Sequence, residues 1–433
     1  MIGLSWSIEY NVPLIVNSEK APWKPRREVW LAGLWERKLL SDIVYEVFNV
    51  KIDFTNRHLV FHRVPAWVKN IHYAIEVFGE GARLGLIYYN ANNQWSISPS
   101  GALASILDSL GLETIELKTS TRYVKGKKIG IDRSRCKERK EYVLVALKDH
   151  IGVARVLDPV ECIIKVKDTA PRGFKLLNTP VASKLVELNT SIIEQYAGEA
   201  KKFIERVYGK YVGSGKIHVS FSGGADSTSV LVLAVEALGA ERVVAVYSDT
   251  GLEYPESREY VEDLASKLGV ELVVLKPEVS FIDEITKRGL MSVENRWCTE
   301  LLKLRPLREY YTRRNVKIYL DGARDYESTL RAKTPRISEN PALPGVLRAL
   351  PIKKWPRILV QLYLLSRGVE LNPLYDKGYS RIGCIVCPAM HKHELLLSYN
   401  QYSEIHEEIM KKTGLTREEY FSMKWTSRKI FME

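Results

Sequence analysis

The stretch SFSGGADSTS at 220–229 holds the densest set of groups able to do chemistry. Gly223 and Gly224 let a backbone turn tightly and approach a ligand without Cβ clashes. Ser222, Ser227 and Thr228 bring hydroxyl groups. A helix starting at this point adds N–H groups with partial positive charge, so the stretch reads as an anion cradle. Asp226 suits a bare phosphate poorly. It makes sense as a ligand for Mg²⁺ that travels with phosphates, or as a carboxylate at a helix N-terminus. The bland alternative is an ordinary glycine turn between strand and helix. The nearby string VGSGKIH at 212–218 is not a Walker loop: the first glycine is missing at the required spacing and Ile217 follows Lys216.

The second chemical signal is Cys384-Ile-Val-Cys387, a CxxC followed by Pro388. Such a pair is a metal-ligand half-site or a redox dithiol. Cys298 stands in RWCTELLKL, far away along the chain, while Cys136 and Cys162 are isolated and read as unremarkable thiols. Five cysteines, an odd number, do not look like a secreted disulfide framework.

These groups need elements to position them. KIHVSF predicts a strand and ADSTSVLVLAVEAL a helix; RVVAVYS, ELVVLK and VKIYLDG are further strands, with helices between. That alternation implies a mainly parallel sheet covered on both faces, with ligands bound at the carboxyl ends of its strands. Residues 181–211 read as one long amphipathic helix, after a Pro- and Gly-punctuated connector at 168–180. Residues 113–166 break into short β-type runs, an all-β module. Within it, Lys118 to Tyr142 carries ten Lys or Arg (Lys118, Arg122, Lys125, Lys127, Lys128, Arg133, Arg135, Lys137, Arg139, Lys140) against three acidic residues, with Tyr123 and Tyr142 at its flanks. Such a stripe can neutralise phosphates and stack bases, or be a solvated hairpin. Residues 1 to about 100 show no catalytic pattern and read as a small α+β accessory domain.

The whole chain is 433 residues, with 27% charged and 45% apolar residues and a net charge of +12. Those fractions are globular, and the positive surplus points to a polyanionic partner. The first residues, MIGLSWSIEYNVPLIV, lack a basic n-region and are not expected to be a signal peptide, and no apolar run reaches the ~20 residues of a membrane span. The expected location is cytoplasmic, with reduced thiols.

SGGxDS after a strand resembles the PP-loop ATP pyrophosphatase group. The patches DTGLEYPESREYV (249–261), RWCTELLKLRPL (296–307), DGARDYESTLRAKTPR (321–336), PIKKW (351–355) and NPLYDKGYSRIGCIVCP (372–388) follow in the order of its phosphoadenosine phosphosulfate (PAPS) reductase-like branch. The β-type run KGKKIGIDRSRCKERKEYVLVALKDHIGVARVL is similar to a PUA-type RNA-binding strand pattern, as in archaeal multidomain members of that branch. The resemblance implies an α/β, Rossmann-like (adenine nucleotide alpha hydrolase-like) PP-loop domain over 216–433. It would be preceded by an α+β domain at 1–105, a β-rich basic PUA-like module at 106–170, and a linker and helix at 171–215.

By the same resemblance, Ser222, Gly223, Gly224, Asp226, Ser227 and Thr228 would hold the phosphates of ATP with Mg²⁺, and Asp226, Ser222 and Ser227 would serve catalysis. Tyr247, Ser248, Asp249 and Thr250 would face the adenosine. Arg324 and Arg331 would grip phosphate or sulfate oxygens, for which a planar guanidinium is suited. Either arginine would instead be a surface ion pair with Glu327 as an available partner. Cys298 falls where iron–sulfur members have a Cys pair, whose second member here is Thr299. Cys298, Cys384 and Cys387 would then hold a [4Fe–4S] cluster with one open iron. With His391 or His393 the same three would make a Cys₃His zinc site instead.

Two departures guide the expected function. Sulfonucleotide reductases depart from SGGxDS, which is intact here, and they attack with a C-terminal cysteine, whereas Cys387 is the last cysteine in this sequence. The expected activity is therefore ATP cleavage between the α and β phosphates, adenylation of a substrate oxygen, and sulfur transfer to RNA, above all tRNA, from an unidentified sulfur donor. DNA phosphorothioation, sulfonucleotide reduction and nucleotide-gated nucleic-acid binding without turnover are the alternatives.

Overall fold

The structure, a computed structural model, describes every residue except 1, 18, 20, 26, 65–70, 118–123, 133–140, 293–294 and 423–433. Cys136, Tyr123 and seven of the ten basic residues counted between Lys118 and Tyr142 lie outside the described residues. The chain divides into two compact units, residues 1–188 and 189–433.

In the first unit a five-stranded antiparallel sheet runs from Val29–Leu31 through Val60–Val64, Ile71–Gly79 and Ala82–Asn90 to Trp95–Pro99. A second five-stranded sheet is built from Thr114–Glu116, Tyr142–Leu147, His150–Asp158, Ile163–Pro171 and Lys128–Gly130. It is antiparallel apart from Thr114–Glu116, which runs parallel to Tyr142–Leu147. The helix Gly101–Ser109 packs against strands of both sheets, so the expected boundary at 105/106 falls inside a helix that the two share. Its start is tight: a Cβ on Gly101 would stand 2.2 Å from the Thr169 carbonyl carbon, and the Gly101 N–H donates to Asp168 at 3.0 Å. Lys125 pairs with that same aspartate at 2.8 Å.

The second unit is α/β. Its six-stranded sheet has the order Glu271–Leu275, Val243–Ser248, Ile217–Ser220, Ile318–Leu320, Leu343–Ala349, Ile337–Asn340. All neighbours are parallel except the last pair. Val219, Val246 and Leu320 are buried, as strands covered on both faces require. From Ile217–Ser220 the chain builds outward on one side, then returns to add Ile318–Leu320 on the other, so the order reverses beside Ile217–Ser220. Open parallel sheets bind ligands outside the carboxyl ends of their strands at such a reversal.

The expected helix over 181–211 is two helices, Ala182–Glu187 and Thr190–Tyr211. The break falls at Leu188 and Asn189, and Asn189 is buried at the head of the second helix. Thr190–Tyr211 packs on the helices Ala225–Leu238 and Arg357–Ser366, which makes it part of the α/β unit and not a free connector.

Candidate active site

The strand Ile217–Ser220 ends beside the loop, and the helix Ala225–Leu238 begins directly after Gly224. Gly223 has φ +74, in the left-handed region. A Cβ there would approach Val261 Cγ2 to 2.9 Å and both Asn372 Nδ2 and Ser257 Oγ to 3.4 Å. Glycine is thus required twice, for the turn and for the close approach of neighbouring segments.

Within the loop the hydroxyls brace the backbone. Ser227 Oγ accepts the Ser222 N–H at 3.1 Å, donates to the Gly224 carbonyl at 3.0 Å, and lies 3.1 Å from Ser222 Oγ. With its proton on Gly224, Ser227 holds the loop's shape, while Ser222 Oγ lies at the exposed side of the brace. Thr228 is wholly buried, and its N–H donates to Gly224 O at 2.9 Å. The structure therefore gathers Ser222, Gly223, Gly224, Asp226 and Ser227 in one loop and buries Thr228 in the packing behind it.

Asp226 pairs with Arg324, whose Nε lies 2.9 Å from Oδ1. Arg324 is buried, also donates to Trp355 O at 3.0 Å, and has its own N–H on Glu327 at 2.8 Å. It reaches the loop because the segment after Ile318–Leu320 runs against the start of Ala225–Leu238. Here Gly322 is essential: a Cβ would stand 2.8 Å from the Asp226 carbonyl carbon and 2.9 Å from Ser227 N. Arg331 is exposed on the short helix Thr329–Lys333 and pairs with Glu327.

On the other side, Asp249 and Thr250 follow Val243–Ser248 and are buried. The Asp249 N–H donates to Leu275 O at 2.8 Å, and Arg258 lies 3.3 Å from its carboxylate. Ser248 is half-buried. Tyr247 is buried, its hydroxyl has no hydrogen-bond partner among the described residues, and burial pushes its ionisation well up.

The CxxC lies against this segment. Glu253 and Cys384 form an isolated β-bridge, and the Ile385 N–H donates to Leu252 O at 2.7 Å. Cys384 Sγ lies 3.8 Å from Thr250 Oγ1 and donates to Glu253 at 3.6 Å. Burial pushes the Cys384 thiol up to about 12; Lys303 opposes that shift, while Glu253 and Cys387 add to it. Cys298, also raised by burial, lies in the middle of the helical turn Trp297–Thr299, followed by the π-helical segment Glu300–Leu304 that carries Lys303. Cys298, Cys384 and Cys387 pack against one core cluster, with Cys387 an electrostatic neighbour of both others.

The expected cluster or zinc site does not follow from that proximity. Among the described residues no group of three or more His, Cys, Asp or Glu is disposed to hold a metal ion. His391 and His393 stack on each other with centroids 5.6 Å apart, and His391 heads the helix Lys392–Gln401. The donor set in this arrangement does not fit a resident metal.

Sequence reading missed two contributors to the loop. One is Gly322. The other is Tyr375, on the short 3₁₀ helix Pro373–Lys377, whose hydroxyl accepts the Ala225 N–H at 3.0 Å. A cavity of about 390 Å³ lies at the opposite, amino-terminal edge of the sheet, lined in part by His218, Glu271, Tyr310 and Arg314; none of the nominated residues reaches it.

Known proteins match this unit and, in one case, nearly the whole chain. Residues 216–390 match the family model of the phosphoadenosine phosphosulfate reductase domain. An uncharacterised protein of Methanocaldococcus jannaschii is 28% identical over 431 residues, covering 91% of this chain and 88% of that protein. A phosphoadenosine 5'-phosphosulfate reductase of an Enterobacter species is 29% identical over 147 residues; the match takes in 33% of this chain and 58% of the reductase. The crystal structure of a phosphoadenylyl-sulfate reductase from Candida auris superposes with a TM-score of 0.36 at 19% identity, over 46% of this chain and 96% of that one. No helix among the described residues is long and apolar enough to cross a membrane.

Proposed function

We propose that this chain, whose C-terminal unit carries a PAPS reductase-like PP-loop domain, uses that domain to cleave ATP between the α and β phosphates and adenylate a substrate oxygen. The observation that carries the reading is the SGGADS loop, with its glycine geometry and helix start at the point where the strand order reverses. In the step, the substrate oxygen forms a bond to Pα, the Pα–O bond to pyrophosphate breaks, and pyrophosphate leaves with its charge met by backbone N–H groups. Mg²⁺ bound with ATP would supply further charge neutralisation, with Asp226 the carboxylate beside the phosphates. Asp249 and Thr250 would border the adenosine. A sulfide donor would then attack the activated carbon, forming C–S and releasing AMP through C–O cleavage; a persulfide donor would also displace AMP, leaving a C–S–S bond for a second thiol to cleave as a disulfide forms.

The acceptor in this reading is RNA, with tRNA first, because the β-rich module in the N-terminal unit is basic in sequence; duplex DNA is the rival. We propose the module limits 1–105, 106–170, 171–215 and 216–433 as functional divisions, with the helix Thr190–Tyr211 assigned by its packing to the last. No step is routed through a metal cluster. A second reading, sulfonucleotide reduction, is favoured by the family match over 216–390. Incubation with ATP, Mg²⁺ and tRNA separates the two: AMP with pyrophosphate supports adenylation, and sulfite from PAPS with a thiol reductant supports reduction.

A further inference from the structure

The Tyr375 hydroxyl sits where an anion held by the loop would need a donor. Its oxygen is pinned by the Ala225 N–H at 3.0 Å, in the first turn of Ala225–Leu238. That N–H is one of the donors a helix start leaves without an internal partner, and one an anion would otherwise take directly. A Cβ on Gly224 would stand 3.5 Å from Ser222 Oγ and 3.6 Å from the Tyr375 hydroxyl. Both hydroxyls therefore converge on the face of Gly224 that glycine leaves open. A phenol has one proton to give, and among the described residues nothing accepts it.

The ring is held from behind. Arg357 lies over it at 4.7 Å from the centroid and donates to Ser380 O at 2.6 Å. The 3₁₀ helix is fixed by Asn372, which accepts the Leu374 N–H at 3.1 Å and donates to Ser257 Oγ at 3.1 Å. Ser257 lies in turn at the Gly223 approach, so loop and tyrosine share one anchor. Burial raises the phenol's ionisation, so the proton remains in place at neutral pH.

We propose that Tyr375 is a nucleotide-binding residue that donates its phenolic O–H to an oxygen of the pyrophosphate portion of the bound nucleotide, extending the Ala225 N–H outward by one hydroxyl. The inference rests on the adenylating reading and adds a residue to it. Polarisation of the hydroxyl by the N–H behind it strengthens the bond it gives.

The test is calorimetric titration of the full chain and of Tyr375→Phe with ATP, AMP and inorganic pyrophosphate, all with Mg²⁺. Phenylalanine keeps the ring beneath Arg357 and removes only the hydroxyl. The expected result is a loss of about ten-fold or more for ATP and pyrophosphate, the scale of a lost hydrogen bond to a charged group, with AMP changed less than two-fold. Equal affinities for pyrophosphate in the two proteins would overturn the role of Tyr375. Failure of the unaltered protein to bind either ATP or pyrophosphate would overturn the nucleotide reading itself. Should Tyr375→Phe not fold, 2,3,5-trifluorotyrosine at 375 retains the hydroxyl but ionises more readily. Its pyrophosphate affinity should then fall relative to the unaltered protein's as pH rises; parallel profiles would contradict the proposal.

Discussion

Asp226 carries the most information as a single residue, because it serves two demands at once. It pairs with buried Arg324 while standing within the SGGADS loop. Asp226→Asn is therefore expected to abolish Mg²⁺-dependent pyrophosphate release and to lower stability as well. Leaving a buried guanidinium uncompensated costs about 3–5 kcal/mol in a sealed site, and about 1–3 kcal/mol here because the aspartate side chain is partly exposed. Thermal melting and pyrophosphate release measured on one preparation check both; wild-type turnover would contradict the assignment. The loop was readable in the sequence because its glycines and hydroxyls are contiguous. The sequence marked Arg324 as a candidate anion contact, but its buried pairing with Asp226 was not legible, since that depends on two loops meeting across a strand order that no local pattern states. Tyr375 was not readable at all: it lies 150 residues from the amide it bonds.

Among elements, the segment after Ile318–Leu320 controls the site. Gly322 lies against the backbone of Asp226 and Ser227, where a flexible side chain cannot yield. Gly322→Ala should displace the first turn of Ala225–Leu238 and weaken ATP binding by at least ten-fold, whereas Gly345→Ala, with open space around it but a strained φ of +78, should cost stability only. Titration with ATP, alongside melting of both variants, distinguishes them; unchanged ATP affinity in Gly322→Ala would count against the packing argument. Alternating strands and helices from 216 onward were legible from their hydrophobic periods. The break between Glu187 and Thr190 was not, because a single amphipathic pattern continues across it while Asn189 is drawn into the core. For the thiols, spacing showed which residues were available for a metal. It could not show that Cys384 would be satisfied by Glu253 and Thr250.

For the whole molecule, two properties follow from burial and charge. His58, His218 and His406 are each pushed down to about 4, chiefly by burial. The unfolded chain then binds protons near 6.5 that the folded chain refuses, so stability is full above about pH 6.5 and is lost as pH falls towards 4. Each histidine should cost about 2 kcal/mol between pH 7 and pH 5. Urea midpoints at the two pH values test this, and identical midpoints would contradict it. If the basic module binds nucleic acid as proposed, affinity should fall with salt by about 0.7–0.9 log units per phosphate contact and log unit of salt. Lys125 is engaged by Asp168, which also holds the Gly101 N–H, and Lys127→Ala with Lys128→Ala leaves that pair intact. That double variant should flatten the salt slope by about one to two units, and an unchanged slope would reduce this part of the stripe to a solvated face.

The central chemical question is whether the SGGADS loop cleaves ATP between its first two phosphates. The direct measurement supplies the full protein with ATP labelled at the α phosphate, Mg²⁺, bulk tRNA and sulfide, and separates the labelled products. The account predicts labelled AMP with an equal amount of pyrophosphate, both lost in Asp226→Asn. Labelled ADP with inorganic phosphate, or intact ATP beside sulfite formed from PAPS in a parallel reaction, would contradict it.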